Sequence, residues 1–129
     1  MTKFGQPKEQ RMNAVLWTIQ GILAGIFAMA GFLKSTQSKD KLLKRLPWVN
    51  HFPLLTVRFI GISELIGAIG IIVPMVTGIM PILSPIAAIG LAAIMIMAAF
   101  YHIHKREYRE VLFNVTLFIP LAVIVFYRF

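Results

Sequence analysis

The chain has 129 residues, of which 58% are hydrophobic and 14% are charged, and its mean hydropathy is +0.78. Soluble domains carry about 25% charged residues, so this composition excludes an ordinary soluble domain and indicates that lipid is the solvent. The net charge of +8 does not indicate nucleic acid binding, because the basic residues stand directly beside apolar runs, where lipid headgroups and loop orientation account for them. The chain has no cysteine, which excludes disulfides, thiol catalysis and thiolate metal sites.

The first apolar run covers residues 12–33. A helix needs about 20 apolar residues to cross a bilayer core, so this run predicts a first membrane span. A cleaved signal peptide is the alternative interpretation, because Ala28-Met29-Ala30 resembles a cleavage site. The run continues past that site and is longer than a usual signal core, which favours a span that is retained.

A polar stretch, residues 34–53, follows the first span. Part of it has an apolar edge against basic neighbours, formed by Leu42, Leu43, Leu46 and Trp48. This pattern predicts a short amphipathic segment at the membrane interface, with the tryptophan as its anchor.

Three further apolar runs predict spans over residues 54–73, 82–101 and 111–127. An uncharged turn rich in proline and glycine, residues 74–81, separates the second span from the third, and the charged stretch 102–110 separates the third from the fourth. Strands are excluded because alternation is absent and each run is about twice as long as a barrel strand. We therefore predict an all-α fold, a four-helix transmembrane bundle that forms a single domain over residues 1–129.

The distribution of basic residues predicts the orientation of the bundle. The side of the membrane that holds the amino terminus, called side A, carries Lys3, Lys8, Arg11 and Arg128. The opposite side, side B, is richer in lysine and arginine, which lie in loops 34–53 and 102–110. Because excess lysine and arginine mark cytoplasmic loops, we expect side B to face the cytoplasm.

Glu64 is the most informative polar residue, because it lies about ten residues, or about 15 Å, inside the second span, where an unpaired carboxylate is costly. Lys34, Arg58, His102 and Asn114 all lie near the side B ends of their spans. These five residues predict one polar pocket that opens to side B, with Glu64 as its floor and Lys34 at its rim. In this interpretation the pocket is the functional site.

Each of these residues also has a structural interpretation. Glu64 can serve as an acid that hydrogen-bonds to a neighbouring helix, and the long side chains of Lys34 and Arg58 can extend to headgroups. The histidine can be an interfacial anchor, and the asparagine can be an interhelical hydrogen-bonding group. His102 and His104 form an HxH pair, but side chains two residues apart point to different faces of a helix, so we predict no metal site.

Small residues predict close helix packing in the bundle. On the first span they share a face with Gln20, and the set comprises Gln20, Gly21, Ala24, Gly25, Ala28 and Gly31. Helices in lipid associate through such faces, because small side chains allow the backbones to approach. The same faces would permit homo-oligomers.

The order of motifs resembles the DoxX-like family of membrane proteins. The resemblance lies in the segment 30–34 (AGFLK), the segment 58–67 (RFIGISELIG), His102 and Asn114, and it extends over nearly the whole chain. It implies a four-helix bundle in the bacterial cytoplasmic membrane, with Lys34, Arg58, Glu64, His102 and Asn114 at recurrent polar positions. It implies no settled reaction: some members of the family are associated with quinone-linked oxidation or with membrane complexes that handle oxidative stress, and others have no assigned role.

Several functions are compatible with these residues. The first is an accessory or ligand-binding subunit, with quinone as a candidate ligand whose carbonyl accepts from His102 or Arg58, and with a membrane or peripheral redox protein as partner. The second is an enzyme that uses Glu64 and His102 for proton transfer. No nucleophile or cofactor motif completes a mechanism, so a stand-alone enzyme is disfavoured. If the chain takes part in redox chemistry, we expect it to be a subunit of a quinone-dependent oxidoreductase. A small transporter or proton pathway and a structural partner of a membrane complex are the remaining alternatives.

Overall fold

The computed structural model describes residues 7–129, with side chains from Gln10 onward, and this part of the chain is helical without strands. The predicted all-α fold is therefore confirmed. Lys3 and the side chain of Lys8, which were assigned to side A, lie outside the described residues. The elements in chain order are α1 (Pro7–Thr36), α2 (Lys39–Arg45), a 3-10 helix (Pro47–His51), α3 (Leu54–Thr77), α4 (Leu83–His104) and α5 (Tyr108–Arg128).

Four of these helices, α1, α3, α4 and α5, are long and apolar enough to cross a membrane. The shortest, α5, has 21 residues. At about 1.5 Å per residue it is about 32 Å long, close to the thickness of a bilayer core. Large apolar side chains cover the outer faces of the helices, as a lipid environment requires. The chain is a multi-pass membrane protein.

The turn between the second and third spans is shorter than predicted. Residues 74–81 were expected to form it, but α3 continues through Pro74 to Thr77 and ends at Gly78, which has a left-handed φ of 73°. A proline inside a helix removes one backbone hydrogen bond, and other groups must satisfy the freed carbonyls in lipid. The carbonyl that loses its helical partner is that of Gly70, four residues before the proline. Gln20 on α1 donates from Nε2 to the next carbonyl oxygen, that of Ile71, at 2.9 Å.

The helices pack around an apolar core contributed by all four spans: Leu23, Phe27, Ala68, Ile71, Ala88, Leu91, Met95, Leu117, Leu121 and Ile124. The backbones of α1 and α3 approach each other closely at two glycines. A Cβ atom added to Gly31 would lie 2.5 Å from the carbonyl oxygen of Gly61, and one added to Gly61 would lie 2.9 Å from that of Gly31. Only glycine fits at this crossing.

The predicted packing face of α1 is only partly correct. Gln20 is fully buried and Gly31 lies in the crossing with α3, as expected. Gly21 and Gly25 are exposed, and a Cβ atom added to either would meet no atom of the described residues within 4 Å. They lie on the far side of the helix because steps of about 100° per residue rotate them away from Gln20 and Gly31.

The segment between α1 and α3, predicted as a short amphipathic segment at the membrane interface, forms α2 and the 3-10 helix, and the bundle itself covers much of its apolar edge. Leu42 of α2 and Val49 of the 3-10 helix are buried in one cluster with Val57 of α3. Ser38 caps α2 by accepting a hydrogen bond from the backbone N–H of Lys41. The segment therefore folds over the side B end of the bundle and places Trp48 there.

Candidate functional site

A buried ion pair joins α1 to α3. Lys34 Nζ donates a hydrogen bond to Glu64 Oε1 at 2.9 Å. The two side chains are 13% and 2% exposed, so the pair is almost completely shielded. Glu64 therefore faces the interior of the bundle and bonds to a neighbouring helix, which is what its depth in the second span requires. Removing one partner of such a pair costs about 3–5 kcal/mol, because the other charge remains buried.

The directions of α1 and α3 explain why Lys34 pairs with Glu64, although the sequence predicted that Lys34 lies at the rim of the pocket. Side chains lean toward the amino-terminal end of their own helix. Lys34 lies in the last turn of α1, so its side chain leans into the membrane, whereas Glu64 on the antiparallel α3 leans toward side B. The two side chains therefore lean toward each other across the helix crossing.

The glycine crossing sets the distance between the two charged residues. Gly31 precedes Lys34 by three residues, and Gly61 precedes Glu64 by the same interval. Residues three apart share a helix face, so the backbone contact at the glycines holds both charged residues at the same interface. A Cβ atom on Gly61 would also lie 2.6 Å from Lys34 Cβ, so a larger residue here would displace the lysine directly.

Arg58 belongs to the same group but does not pair with Glu64. Its Nη1 donates to the backbone carbonyl oxygen of Lys34 at 3.0 Å. That carbonyl is among the last four of α1, which have no partner within the helix, so the guanidinium stabilises the carboxyl-terminal end of α1. Arg58 and Glu64 lie six residues apart on one helix, and Arg58 leans toward side B, away from the acid.

Trp48 links the ion pair to His102. Lys34 Nζ lies 5.5 Å from the centroid of the Trp48 ring, which is a cation–π distance. The ring centroid of Trp48 lies 6.3 Å from that of His102, in an edge-on arrangement. We call these five residues, Lys34, Trp48, Arg58, Glu64 and His102, the side-B cluster. The sequence indicated Trp48 only as an interfacial anchor, because nothing in its spacing showed that the loop folds over the side B end of the bundle.

His102 is held by an acid that sequence reasoning missed. His102 is 5% exposed, and its Nδ1 lies 2.7 Å from Glu107 Oε1. The backbone N–H of Glu107 also donates to the His102 carbonyl oxygen at 2.8 Å, and Arg106 between them has a left-handed φ of 61°. His102 and Glu107 are five residues apart, whereas side chains that meet on a helix are three or four residues apart. The pair therefore depends on the tight turn between α4 and α5 and could not be predicted from helical spacing.

Asn114 does not hydrogen-bond to the side-B cluster. It is 6% exposed and lines a cavity of about 140 Å³ between α4 and α5, together with Met95, Ala99, Phe100, Ile103 and Phe118. Among the described residues, its Nδ2 atom has no hydrogen-bond partner. The predicted pocket therefore divides: the structure brings Lys34, Arg58 and Glu64 together and joins His102 through Trp48, whereas Asn114 faces a separate, apolar space.

A second polar group lies at side A and was not predicted as a site. Arg128 donates from Nε to Gln20 Oε1 and from Nη1 to Asn13 Oδ1, both at 2.8 Å. The Arg128 guanidinium also lies 5.6 Å from the centroid of the Trp17 ring. One face of α1 carries Asn13, Trp17 and Gln20, which are spaced by four and three residues. This spacing was the signal in the sequence that could have indicated the group. We call these four residues the side-A cluster.

The side-B cluster is a set of hydrogen-bond donors beside one carboxylate. The Lys34 ammonium has three N–H groups and the Arg58 guanidinium has five, and each uses one of them in the contacts above. Each ring nitrogen of His102 can donate or accept a hydrogen bond, and Nδ1 faces Glu107. Among residues 10–129, no three His, Cys, Asp or Glu side chains lie together as a metal site would require. The arrangement is suited to holding a carbonyl or anionic oxygen.

Comparison with known proteins agrees with this architecture. A sequence model of the DoxX-like family matches residues 18–125, a range that contains the second and third spans, most of the first and fourth, and every member of the side-B cluster. No curated protein and no solved structure matched the chain. The match covers most of the chain and confirms the resemblance noted in the sequence, so this multi-pass membrane protein belongs to the DoxX-like family.

Proposed function

We propose that the chain is an accessory, ligand-binding subunit of a membrane complex, and that the side-B cluster is its ligand site. The observation that carries this proposal is the Lys34–Glu64 pair, which is buried deep in the bundle and lies beneath Trp48. A buried ion pair adds little net stability compared with well-packed apolar residues of the same volume, so stability alone is a weak reason for its presence. Intramembrane charged residues commonly mark ligand or ion sites.

The ligand class that fits this site is a lipid-soluble molecule with a carbonyl oxygen, and quinone is the specific candidate. Lys34 and Arg58 retain free N–H groups that would orient a carbonyl, and Trp48 supplies a flat apolar surface for a ring. A bound quinone would supply electron transfer. His102, held by Glu107, would position a proton at the carbonyl oxygen, and a redox partner protein would complete the reaction.

Location and orientation form part of the same proposal. We place the chain in the bacterial cytoplasmic membrane, with loops 34–53 and 102–110 in the cytoplasm, because lysine and arginine are concentrated in those loops. The side-B cluster would then open toward the cytoplasm. A soluble redox partner would approach it across the basic helix α2.

A small transporter or proton pathway is the competing proposal. Such a path would need polar groups or water between the side-B and side-A clusters. Leu23, Phe27 and Ala68 are buried in that interval, which favours binding over conduction. A purely structural role in a membrane complex would use the same ion pair to hold α1 against α3.

The experiment that tests ligand binding is native mass spectrometry of the protein purified in mild detergent with a short-tailed ubiquinone analogue added. The variant is Lys34→Met combined with Glu64→Leu, which replaces both charges by apolar side chains and leaves no buried charge unpaired. We expect this variant to fold, by circular dichroism, and to lose the analogue. Lys44→Met, which removes an exposed lysine of α2, is the matched control and should retain it. Retention by the double variant would show that the pair is structural.

A further inference from the structure

Glu107 holds His102 in one orientation through contacts with both its side chain and its backbone. Oε1 of Glu107 lies 2.7 Å from Nδ1 of the imidazole, and the backbone N–H of Glu107 donates to the His102 carbonyl oxygen at 2.8 Å. Arg106, with its left-handed φ of 61°, forms the tight turn that brings the acid back to the ring. The two side chains are 34% and 7% exposed, so the acid is open to water while the ring is almost completely covered.

This contact decides which nitrogen of the ring carries the hydrogen. A carboxylate oxygen only accepts hydrogen bonds, so at 2.7 Å the hydrogen lies on Nδ1 of His102. A neutral imidazole has a single N–H, and Nε2 is then left with a lone pair that accepts. Glu107 is therefore a positioning residue, because it fixes the tautomer of His102 as well as the orientation of the ring.

The Nε2 atom of His102 is within reach of a ligand. It makes no hydrogen bond with the described residues, where Nδ1 is the ring nitrogen that is paired. In this part of the chain four polar side-chain atoms are fully buried without a partner, and Nε2 is not one of them. An unpaired nitrogen that keeps some exposure can accept from a small polar group. The ring also lies edge-on to Trp48, over which Lys34 Nζ is placed, so Nε2 belongs to the side-B cluster.

The side-B cluster then presents two kinds of hydrogen-bonding group. Lys34 and Arg58 only donate, whereas Nε2 of a neutral His102 only accepts. A carbonyl oxygen accepts but cannot donate, so it would satisfy the two cations and would meet Nε2 with lone pair against lone pair. A hydroxyl group both donates and accepts, so it satisfies both kinds of group. This reverses the role that the sequence suggested for His102, which was to donate to a quinone carbonyl.

We propose that Glu107 sets His102 as a hydrogen-bond acceptor and thereby makes the side-B cluster selective for the reduced, hydroxyl form of its ligand, a quinol, over the quinone. The hydroxyl donates to Nε2 of His102, and its oxygen accepts from Lys34 or Arg58. This inference rests on the ligand site proposed above and adds the form in which the ligand is bound.

The first test is nuclear magnetic resonance of the full chain, labelled with ¹⁵N histidine, in nanodiscs at pH 8 without ligand. The chemical shifts of Nδ1 and Nε2 show which of them carries the hydrogen, and the exposed His51 and His104 are internal references. We expect the hydrogen of His102 on Nδ1. Glu107→Ala should move it to Nε2, the usual tautomer in water, whereas Glu110→Ala, which removes another acid near the start of α5, is the matched control and should leave it on Nδ1. A hydrogen on Nε2 of His102 in the wild type, alone or together with one on Nδ1, overturns the inference.

The second test compares the quinol and quinone forms of a short-tailed ubiquinone analogue by native mass spectrometry without oxygen. The wild type and Glu110→Ala should bind the quinol about tenfold more tightly, an effect of the size of one hydrogen bond, and Glu107→Ala should lose this preference. If Glu107→Ala does not fold, the wild-type measurements decide alone. Equal binding of both forms by the wild type overturns the inference and leaves the proposed ligand site intact. Binding of neither form shows that the proposed function is wrong, and the inference falls with it.

Discussion

The buried Lys34–Glu64 pair predicts an unequal and coupled response to mutation. Lys34→Met leaves the Glu64 carboxylate 2% exposed and without its cation, so we expect a loss of about 3–5 kcal/mol in the free energy of unfolding. Glu64→Gln leaves the ammonium of Lys34, which is 13% exposed on a long flexible chain and can turn toward headgroups. The loss for Glu64→Gln should therefore be smaller. If only the depth of each residue in its predicted span is considered, the substitution of Glu64 is expected to have the larger effect.

The double variant, Lys34→Met with Glu64→Gln, measures the coupling. Because the atoms of the pair lie 2.9 Å apart, the double variant should be less destabilised than the sum of the single variants by at least about 1 kcal/mol. The assay is unfolding in mixed micelles with increasing dodecyl sulfate, followed by circular dichroism, for the wild type and the three variants. Losses that add within about 0.5 kcal/mol would mean that the two side chains do not interact, and the reasoning would be refuted.

Three further predictions follow from the helix contacts and the charge distribution. Gly61→Ala should destabilise the bundle by about 1–3 kcal/mol, because the new Cβ would lie 2.6 Å from the Cβ of Lys34 on α1. Gly25→Ala, whose Cβ would meet no described atom within 4 Å, should be neutral in the same unfolding assay. Equal effects of the two substitutions would contradict the close crossing of α1 and α3. Arg128→Leu removes two hydrogen bonds between α5 and α1, so it should loosen that contact and speed hydrogen exchange at the side A end of both helices. Unchanged exchange there would show that Arg128 does not hold the two helices together. Cysteines placed at Lys41 and Arg106 should resist a membrane-impermeant thiol reagent in intact cells and react after lysis, and labelling in intact cells would reverse the proposed orientation.

The sequence predicted the architecture because hydropathy reports membrane spans directly. A run of about 20 apolar residues has few alternatives in lipid, and the four predicted spans correspond to α1, α3, α4 and α5. The ends were less certain, because proline normally breaks a helix, yet α3 continues through Pro74. The direction in which side chains lean along a helix would have indicated the Lys34–Glu64 pair from the sequence as well.

The rest of the site depends on contacts that no local pattern reports. Trp48 reaches Lys34 because the loop folds over the side B end of the bundle and packs on α3, and Glu107 reaches His102 because the turn after α4 is tight. Asn114 lies at the predicted depth but faces the groove between α4 and α5. Depth is readable from the sequence at about 1.5 Å per residue, whereas the direction a residue faces depends on which helices are neighbours.

The measurement that tests the proposed ligand site most directly is tryptophan fluorescence. The chain has two tryptophans, and they report on opposite ends: Trp48 lies in the side-B cluster, and Trp17 lies beside Arg128 in the side-A cluster. In Trp17→Phe, a short-tailed ubiquinone analogue should quench Trp48 in a saturable way, and adding Glu64→Gln should remove the saturable part. In Trp48→Phe, quenching of Trp17 should rise only in proportion to the analogue dissolved in the lipid. Equal, unsaturable quenching of both tryptophans would contradict a ligand site at side B.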